Sequence, residues 1–83
     1  MPKVYGSMLC SDCVEAREYF EKVNYKYEFV NITESMKNLK EFLALRENRK
    51  EFDDAKKFGY VGIPAILTDD NKIILGDEVL QVK

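Results

Sequence analysis

The first part of the chain alternates between strand-like runs and a helical pattern of apolar positions. The run Lys3–Tyr5 contains residues suited to a pleated sheet and predicts a first strand. Apolar side chains then recur at helical spacing over Ser11–Val23, which predicts an amphipathic helix ending at Asn24. Apolar and polar residues alternate over Tyr25–Ile32, which predicts a second strand. This part of the sequence therefore predicts a β-α-β unit.

Two further helices are predicted in the middle of the chain. The first ends near Asn48, has Thr33 as its cap, and carries an apolar face made of Met36, Leu39, Phe42 and Leu43. The second is Glu51–Phe58, because its aspartates come early, its lysines come late, and Gly59 follows directly. Its predicted apolar face consists of Phe52, Ala55 and Phe58.

The last part of the chain predicts a β-hairpin followed by a short helix. The hairpin strands are Ala65–Thr68 and Lys72–Leu75, joined by a polar turn, and the helix begins at Gly76. A parallel pair with a right-handed crossover, extended by an antiparallel hairpin, gives an α/β fold with a four-stranded mixed sheet flanked by helices. A chain of 83 residues has room for one domain, which we assign to residues 1–83.

Composition and charge narrow the classes of partner. Hydrophobic residues make up 46% of the chain, but no apolar run approaches the roughly 20 residues that span a bilayer, so we expect no membrane partner. The formal net charge of -2 provides no basic excess for a phosphate backbone, which argues against nucleic acid. The N-terminal residues lack the pattern of a secretory signal. We therefore expect a cytoplasmic protein in a reducing compartment. A monomer is the working expectation, although no sequence feature indicates the oligomeric state.

The only two cysteines, Cys10 and Cys13, stand three positions apart at the predicted strand-to-helix corner. A disulfide between them would close a very short loop and stabilise the fold little. A closed structural zinc site normally needs four ligands, and the chain has no histidine and no third cysteine, so we expect no metal bound by this chain alone. A purely structural role, as a small buried apolar side chain, would suit Cys13, which falls on the apolar face. It would suit Cys10 less well. The spacing and position favour a reactive dithiol.

The expected roles of the two thiols follow from the helix. A thiolate at Cys10 would be stabilised by the free N–H groups and the positive end of the helix dipole, so Cys10 is the predicted nucleophile. Cys13, one turn deeper, is the predicted resolving thiol. Ser11 and Asp12 lie inside the pair and are predicted to tune the ionisation of Cys10. The carboxylate of Asp12 opposes a second negative charge, so we predict a reducing dithiol rather than a strong oxidant.

Three motifs together resemble the glutaredoxin branch of the thioredoxin-like superfamily. They are C-S-D-C at positions 10–13, G-I-P at 62–64 and I-L-G-D-E at 74–78, and the resemblance spans nearly the whole chain. It implies a thioredoxin-like fold and an enzyme that reduces protein disulfides or glutathione mixed disulfides, regenerated by a thiol reductant system. It also implies a cis Ile63–Pro64 bond that exposes the Ile63 backbone to a substrate segment. Gly76, Asp77 and Glu78 are implied as further substrate-binding residues.

The chain departs from the usual glutaredoxin pattern at several positions. Ser7 occupies the position of a lysine that would offer a cation to a glutathione carboxylate, and Ser11 and Asp12 replace a proline and an aromatic residue. Glutathione is therefore a possible co-substrate, and no cofactor is expected to be bound.

Two alternatives keep the same fold. In one, two chains share an iron–sulfur cluster through Cys10 with glutathione as an extra ligand. In the other, the dithiol only senses redox state.

The cluster Arg46, Arg49 and Lys50 is interpreted as a solvated face, with a basic edge for an acidic partner as the alternative.

Overall fold

A four-stranded mixed sheet forms the centre of the computed structural model, which describes residues 1–83. The strands are β1 (Lys3–Gly6), β2 (Glu28–Asn31), β3 (Ala65–Leu67) and β4 (Ile73–Leu75). The helices are α1 (Ser11–Lys22), α2 (Met36–Asn48) and α3 (Asp53–Phe58), with short 3-10 helices at Lys50–Phe52 and Gly76–Gln81. The strand order is β2-β1-β3-β4, so the predicted α/β fold with a mixed sheet flanked by helices is confirmed. None of the helices combines the length and the apolar character needed to span a membrane.

The register of the sheet places the end of β1 at the dithiol corner. β1 runs parallel to β2, with Gly6 opposite Asn31, and antiparallel to β3, with Tyr5 opposite Ala65. β3 and β4 form the predicted hairpin. Because β1 is a central strand with a neighbour on each side, the corner that follows it is held in place by both halves of the sheet.

The second strand is shorter than the predicted Tyr25–Ile32, because its first residues complete the end of α1. Asn24 adopts a left-handed conformation with φ 56°. The N–H of Asn24 donates to the carbonyl of Glu21 at 3.2 Å, and the N–H of Tyr25 donates to the carbonyl of Phe20 at 2.8 Å. This pair of hydrogen bonds is the Schellman pattern that satisfies the last carbonyls of a helix. Tyr25 is therefore part of a helix cap, and β2 begins only at Glu28.

The predicted cap of α2, Thr33, is wrong: the cap is Ser35. The Ser35 hydroxyl accepts a hydrogen bond from the N–H of Asn38 at 3.1 Å, as an N-cap side chain does. The Thr33 hydroxyl instead donates to the side-chain oxygen of Asn31 at 2.8 Å and also contacts Ser7. Thr33 and Ser35 both have a hydroxyl group that can cap a helix. Because α2 begins at Met36, Ser35 is the residue in the cap position.

Two apolar clusters cover opposite faces of the sheet. Successive strand residues point to opposite faces, so Tyr5 and Ala65 belong to one cluster, while Val4 and Ile66 belong to the other. The first cluster also contains Val30, Ile32, Phe42 and Phe52, and the second contains Ala16, Phe20 and Val79. The core therefore has two layers, and α1 packs on the face that carries Val4.

Three side chains predicted to lie on apolar helix faces are exposed instead. Met36, Leu43 and Phe58 keep 64%, 45% and 60% of their surface, so these predictions were wrong. Met36 and Phe58 lie at the ends of their helices, and Phe58 stacks on Tyr60 in the following loop. The predicted terminal helix is a 3-10 helix, with Val79 as its buried anchor.

Candidate active site

Cys10 lies at the corner where β1 gives way to α1. Its backbone N–H donates to the carbonyl of Ser7 at 3.1 Å, which closes the connecting turn. Cys10 is the N-cap residue of α1, and its Sγ accepts a hydrogen bond from the N–H of Cys13 at 3.4 Å. The sulfur therefore occupies the position at which a helix N-terminus offers unpaired N–H groups to a side chain. The side chain of Ser11 makes no hydrogen bond within the protein and is exposed.

Cys13 is fully buried on the sheet side of α1. Gly6 makes this position possible, because a Cβ on Gly6 would lie 3.0 Å from the Cys13 sulfur and 3.2 Å from the Phe29 ring. Burial is the main cause that raises the pKa of the Cys13 thiol to about 12; the Ser7 backbone opposes the shift and the neighbouring Cys10 adds to it. Cys13 is therefore a protonated thiol at neutral pH.

Ser7 is buried, and its hydroxyl holds the turn together. Its Oγ lies 2.8 Å from the hydroxyl oxygen of Thr33 and accepts a hydrogen bond from the N–H of Leu9 at 3.1 Å. Only 2% of Ser7 is exposed. A residue in this position braces the turn and offers no charge to a ligand.

The Ile63–Pro64 bond is cis, as the resemblance implied. This bond lies in a groove of about 680 Å³ that also contains Cys10, Asp12 and Gly76. Five of the residues singled out from the sequence are therefore brought together around one opening. Neither the N–H nor the C=O of Ile63 forms a hydrogen bond within the protein. The backbone beside Cys10 thus presents a free donor and a free acceptor.

The remaining predicted residues are divided between the neighbourhood of the groove and the surface. Asp77 lines an adjoining cleft of about 130 Å³ that shares Asp12, Ile63, Pro64 and Gly76 with the groove. Glu78 and Ser11 line neither opening and are exposed. Cys13 lies beneath the surface, behind Cys10, rather than in the groove. Its position suits a thiol that is approached only through Cys10.

The loop that precedes Pro64 forms a wall of the groove, and its support was not predicted from the sequence. Arg46 on α2 donates from Nε to the carbonyl of Val61 at 2.9 Å and from Nη2 to the carbonyl of Tyr60 at 2.7 Å. Gly62 has φ 96°, and a Cβ there would lie 3.0 Å from the ring of Phe52. Arg46 therefore holds the backbone of the loop before Pro64 in place through two hydrogen bonds. In the sequence, this loop was indicated only by Gly59 and Gly62, which flank Tyr60 and Val61.

Arg49, predicted with Arg46 to belong to a solvated face or a basic edge, is also engaged. It donates to the backbone carbonyl of Asn71 and, at 3.2 Å, to the side-chain oxygen of Asn71 in the hairpin turn. Its Nε lies 3.8 Å from the carboxylate of Glu51. Both arginines bind carbonyls of the chain at the surface, and a basic edge for an acidic partner stays a prediction.

The fold and the pair of closely placed cysteines define a thiol-redox protein of the thioredoxin-like class. The chain belongs to the glutaredoxin family, since the family model "Glutaredoxin" matches residues 3–73. A protein of Haemophilus influenzae described as "Uncharacterized protein" is 33% identical over 81 residues, which cover 98% of this chain and 94% of the relative. No solved structure matches the chain significantly.

Proposed function

We propose that this protein is a dithiol thiol–disulfide oxidoreductase that reduces protein disulfides or glutathione mixed disulfides. Cys10 is the nucleophile and Cys13 the resolving thiol. The observation that carries the proposal is the contrast between the two sulfurs. The Cys10 sulfur lies in a groove at the tip of α1, whereas the Cys13 sulfur is fully buried behind it.

The first step uses Cys10 as a thiolate. Its sulfur accepts the N–H of Cys13, and the positive end of the α1 dipole favours negative charge at this position. The thiolate attacks one sulfur of the substrate disulfide. A bond forms between Cys10 and that sulfur, the substrate disulfide breaks, and the other substrate sulfur leaves as a thiolate that takes up a proton.

The second step uses Cys13. Its thiol loses its proton as it attacks the sulfur of Cys10, which forms the Cys10–Cys13 disulfide and releases the second substrate thiol. Burial keeps Cys13 protonated between reactions, so a substrate that reaches the groove meets Cys10 first. Two electrons have then passed from the dithiol to the substrate. A thiol reductant, either a dithiol protein or two molecules of glutathione, returns the enzyme to the reduced state.

The substrate segment is positioned by the backbone of Ile63. The free N–H and C=O of this residue, next to the cis bond to Pro64, support pairing with an extended peptide in the manner of an added strand. Gly76 lines the same groove, and Asp77 lines the adjoining cleft. We assign these two residues a secondary role in binding the substrate and assign Asp12, which lines the groove, a role in tuning Cys10; Glu78 and Ser11 line neither opening and are assigned no role.

Turnover of a disulfide-bonded peptide tests this proposal. The wild-type protein, supplied with a thiol reductant, is expected to reduce the peptide, and Cys10→Ser is expected to fall to the rate of the reductant alone. Asp69→Asn, a change in the exposed hairpin turn, is the control for handling and folding. A Cys10→Ser variant that keeps the wild-type rate would contradict the proposal.

The ultraviolet-visible spectrum of anaerobically purified protein tests the alternative of a shared iron–sulfur cluster, since a bound cluster absorbs in the visible.

A further inference from the structure

We propose that the groove at Cys10 selects positively charged disulfide substrates: an extended protein segment with lysine or arginine beside the disulfide-bonded cysteine. This inference rests on the proposed function and names its substrate class. The site is the groove around Cys10, and the charges that surround the nucleophile determine which substrate approaches it.

All charged side chains that line the groove are carboxylates. They are Asp12, Glu51 and Asp54. The adjoining cleft, which Pro64 also lines, adds Glu15 and Asp77, and no lysine or arginine lines either opening. Glu51 alone among these five acids forms an ion pair, with Arg49 at 3.8 Å. The other four have no salt-bridge partner, so their charge acts on whatever enters the groove.

None of the three arginines of the chain lines the groove, and of the five carboxylates only Glu51 is paired with one. The guanidinium of Arg46 binds the carbonyls of Tyr60 and Val61, and that of Arg49 binds Asn71. Arg17, on α1, lies over the ring of Phe29 at 4.2 Å and donates to the hydroxyl of Tyr27 at 3.2 Å. The net charge of the whole chain is only -2, so the concentration of negative charge around Cys10 is a local property. A cleft lined by one sign of charge attracts ligands of the opposite sign.

This arrangement disfavours glutathione relative to a basic peptide. Glutathione carries two carboxylates and one ammonium group at neutral pH, and its carboxylates are normally bound by cations. The buried Ser7 provides none, and the groove provides none. A glutathione mixed disulfide would therefore approach against the charge of the four unpaired carboxylates.

The walls of the groove also suit a protein segment with long cationic side chains. Tyr60 and Val61 leave 60% and 54% of their surface exposed there. An exposed aromatic face and an apolar neighbour can cover the methylene stem of a lysine or stack on a guanidinium, whose charge then lies near a carboxylate. The free backbone of Ile63 requires an extended chain to pair with it. We therefore commit to a basic peptide segment as the occupant.

Two matched disulfide-bonded peptides test the inference. They have the same length and differ only in having lysine or glutamate on both sides of the cysteine. For the wild-type protein we expect kcat/KM for the lysine peptide to exceed that for the glutamate peptide by at least about tenfold at low salt. The ratio should fall toward one at about 0.5 M salt, because screening weakens interactions between exposed charges.

A double variant and its control locate the effect. Glu51→Gln with Asp54→Asn removes two groove charges without touching Cys10, and should reduce the ratio severalfold. Glu21→Gln with Asp69→Asn removes two exposed charges outside the groove and should leave the ratio unchanged. Equal rates for the two peptides, faster reduction of the glutamate peptide, or the same loss in both variants would overturn the inference while leaving the proposed function intact. Reduction of neither peptide would overturn the proposed function, and this inference with it.

Discussion

Cys10 and Cys13 belong to one helical turn, but the regions around their sulfurs differ in packing, solvent access and charge. The sulfur of Cys13 fills space left by the missing side chain of Gly6 and contacts no solvent. The sulfur of Cys10 caps α1 in a groove lined by carboxylates. The two thiols therefore differ in their expected reactivity although they lie only three residues apart on one helix. The difference arises because Cys13 packs against the sheet and Cys10 does not.

The two regions also differ in how they are held. The surroundings of Cys13 depend on close packing between β1, β2 and α1, in which a single extra methyl group has no room. The groove wall formed by Tyr60 and Val61 depends on the two hydrogen bonds from Arg46 to this surface loop. Perturbing the first region should therefore change stability, whereas perturbing the second should mainly change substrate binding.

The largest expected effect comes from Cys13→Ser. Without the resolving thiol, the mixed disulfide between Cys10 and a peptide should persist at least about a hundredfold longer, because an intramolecular attack is replaced by an intermolecular one. The covalent adduct is measured by intact-protein mass after mixing with the disulfide peptide. Cys10→Ser serves as the control and should form no adduct. Rapid loss of the adduct from Cys13→Ser would show that Cys13 does not resolve it.

Gly6→Ala tests the packing around Cys13. The added methyl group would overlap the Cys13 sulfur and the Phe29 ring, and overpacking of this kind costs about 1–3 kcal/mol in the free energy of unfolding. Chemical denaturation of the reduced protein measures this loss. Adding Cys13→Ala should recover part of it, since the two changes share one space.

Gly59→Ala is the comparison for Gly6→Ala. Gly59 has φ 80°, and a Cβ added there would meet no atom within 4 Å, so its substitution costs only backbone conformation, about 1–2 kcal/mol. Cys13→Ala should not recover that loss. Equal recovery in both backgrounds would refute the assigned overlap between Gly6 and Cys13.

The pKa of Cys13 predicts a dependence of stability on pH. Burial raises this pKa from 9.0 to about 12, so between these values the unfolded chain releases a proton that the folded chain retains. The reduced protein should therefore lose stability as pH rises from about 9 toward 12. Denaturation midpoints across this range measure the slope, and Cys13→Ala should have a shallower one. The same slope in Cys13→Ala would assign the effect to other groups.

Arg46→Gln should have the smallest effect, confined to the groove. Loss of the hydrogen bonds to the carbonyls of Tyr60 and Val61, worth about 1 kcal/mol, should raise KM for a peptide disulfide severalfold. The alkylation rate of Cys10 should not change. Arg49→Gln, which affects the hairpin turn instead, is the matched control. A loss confined to kcat, or an equal effect of both variants, would contradict the positioning role of Arg46.

The elements that could be predicted from the sequence are those whose signals are local. The first helix, the hairpin and the mixed sheet follow from spacing, turn residues and the order of elements. The buried position of Cys13 also follows from spacing, because it shares a helical face with Ala16 and Phe20. The cis Ile63–Pro64 bond came from the resemblance, and local sequence would have favoured trans.

The features that could not be predicted depend on contacts between distant parts of the chain. Thr33 and Ser35 have similar capping ability, and only the path of the backbone out of β2 selects Ser35. The role of Arg46 requires the loop before Pro64 to pass beside α2, and the need for glycine at position 6 requires Cys13 to pack against β1. The acidic lining of the groove likewise appears only when residues of α1, of the 3-10 helix Lys50–Phe52 and of α3 face one opening.

Alkylation of the reduced, folded protein tests the central claim most directly. A brief pulse of a thiol reagent at neutral pH, followed by unfolding and a second reagent of different mass, reports which sulfur was accessible in the native state. We predict the first label on Cys10 and the second on Cys13, because only Cys10 lies in the groove and Cys13 is buried and protonated. Equal first labelling of both cysteines, or first labelling of Cys13 alone, would contradict the account.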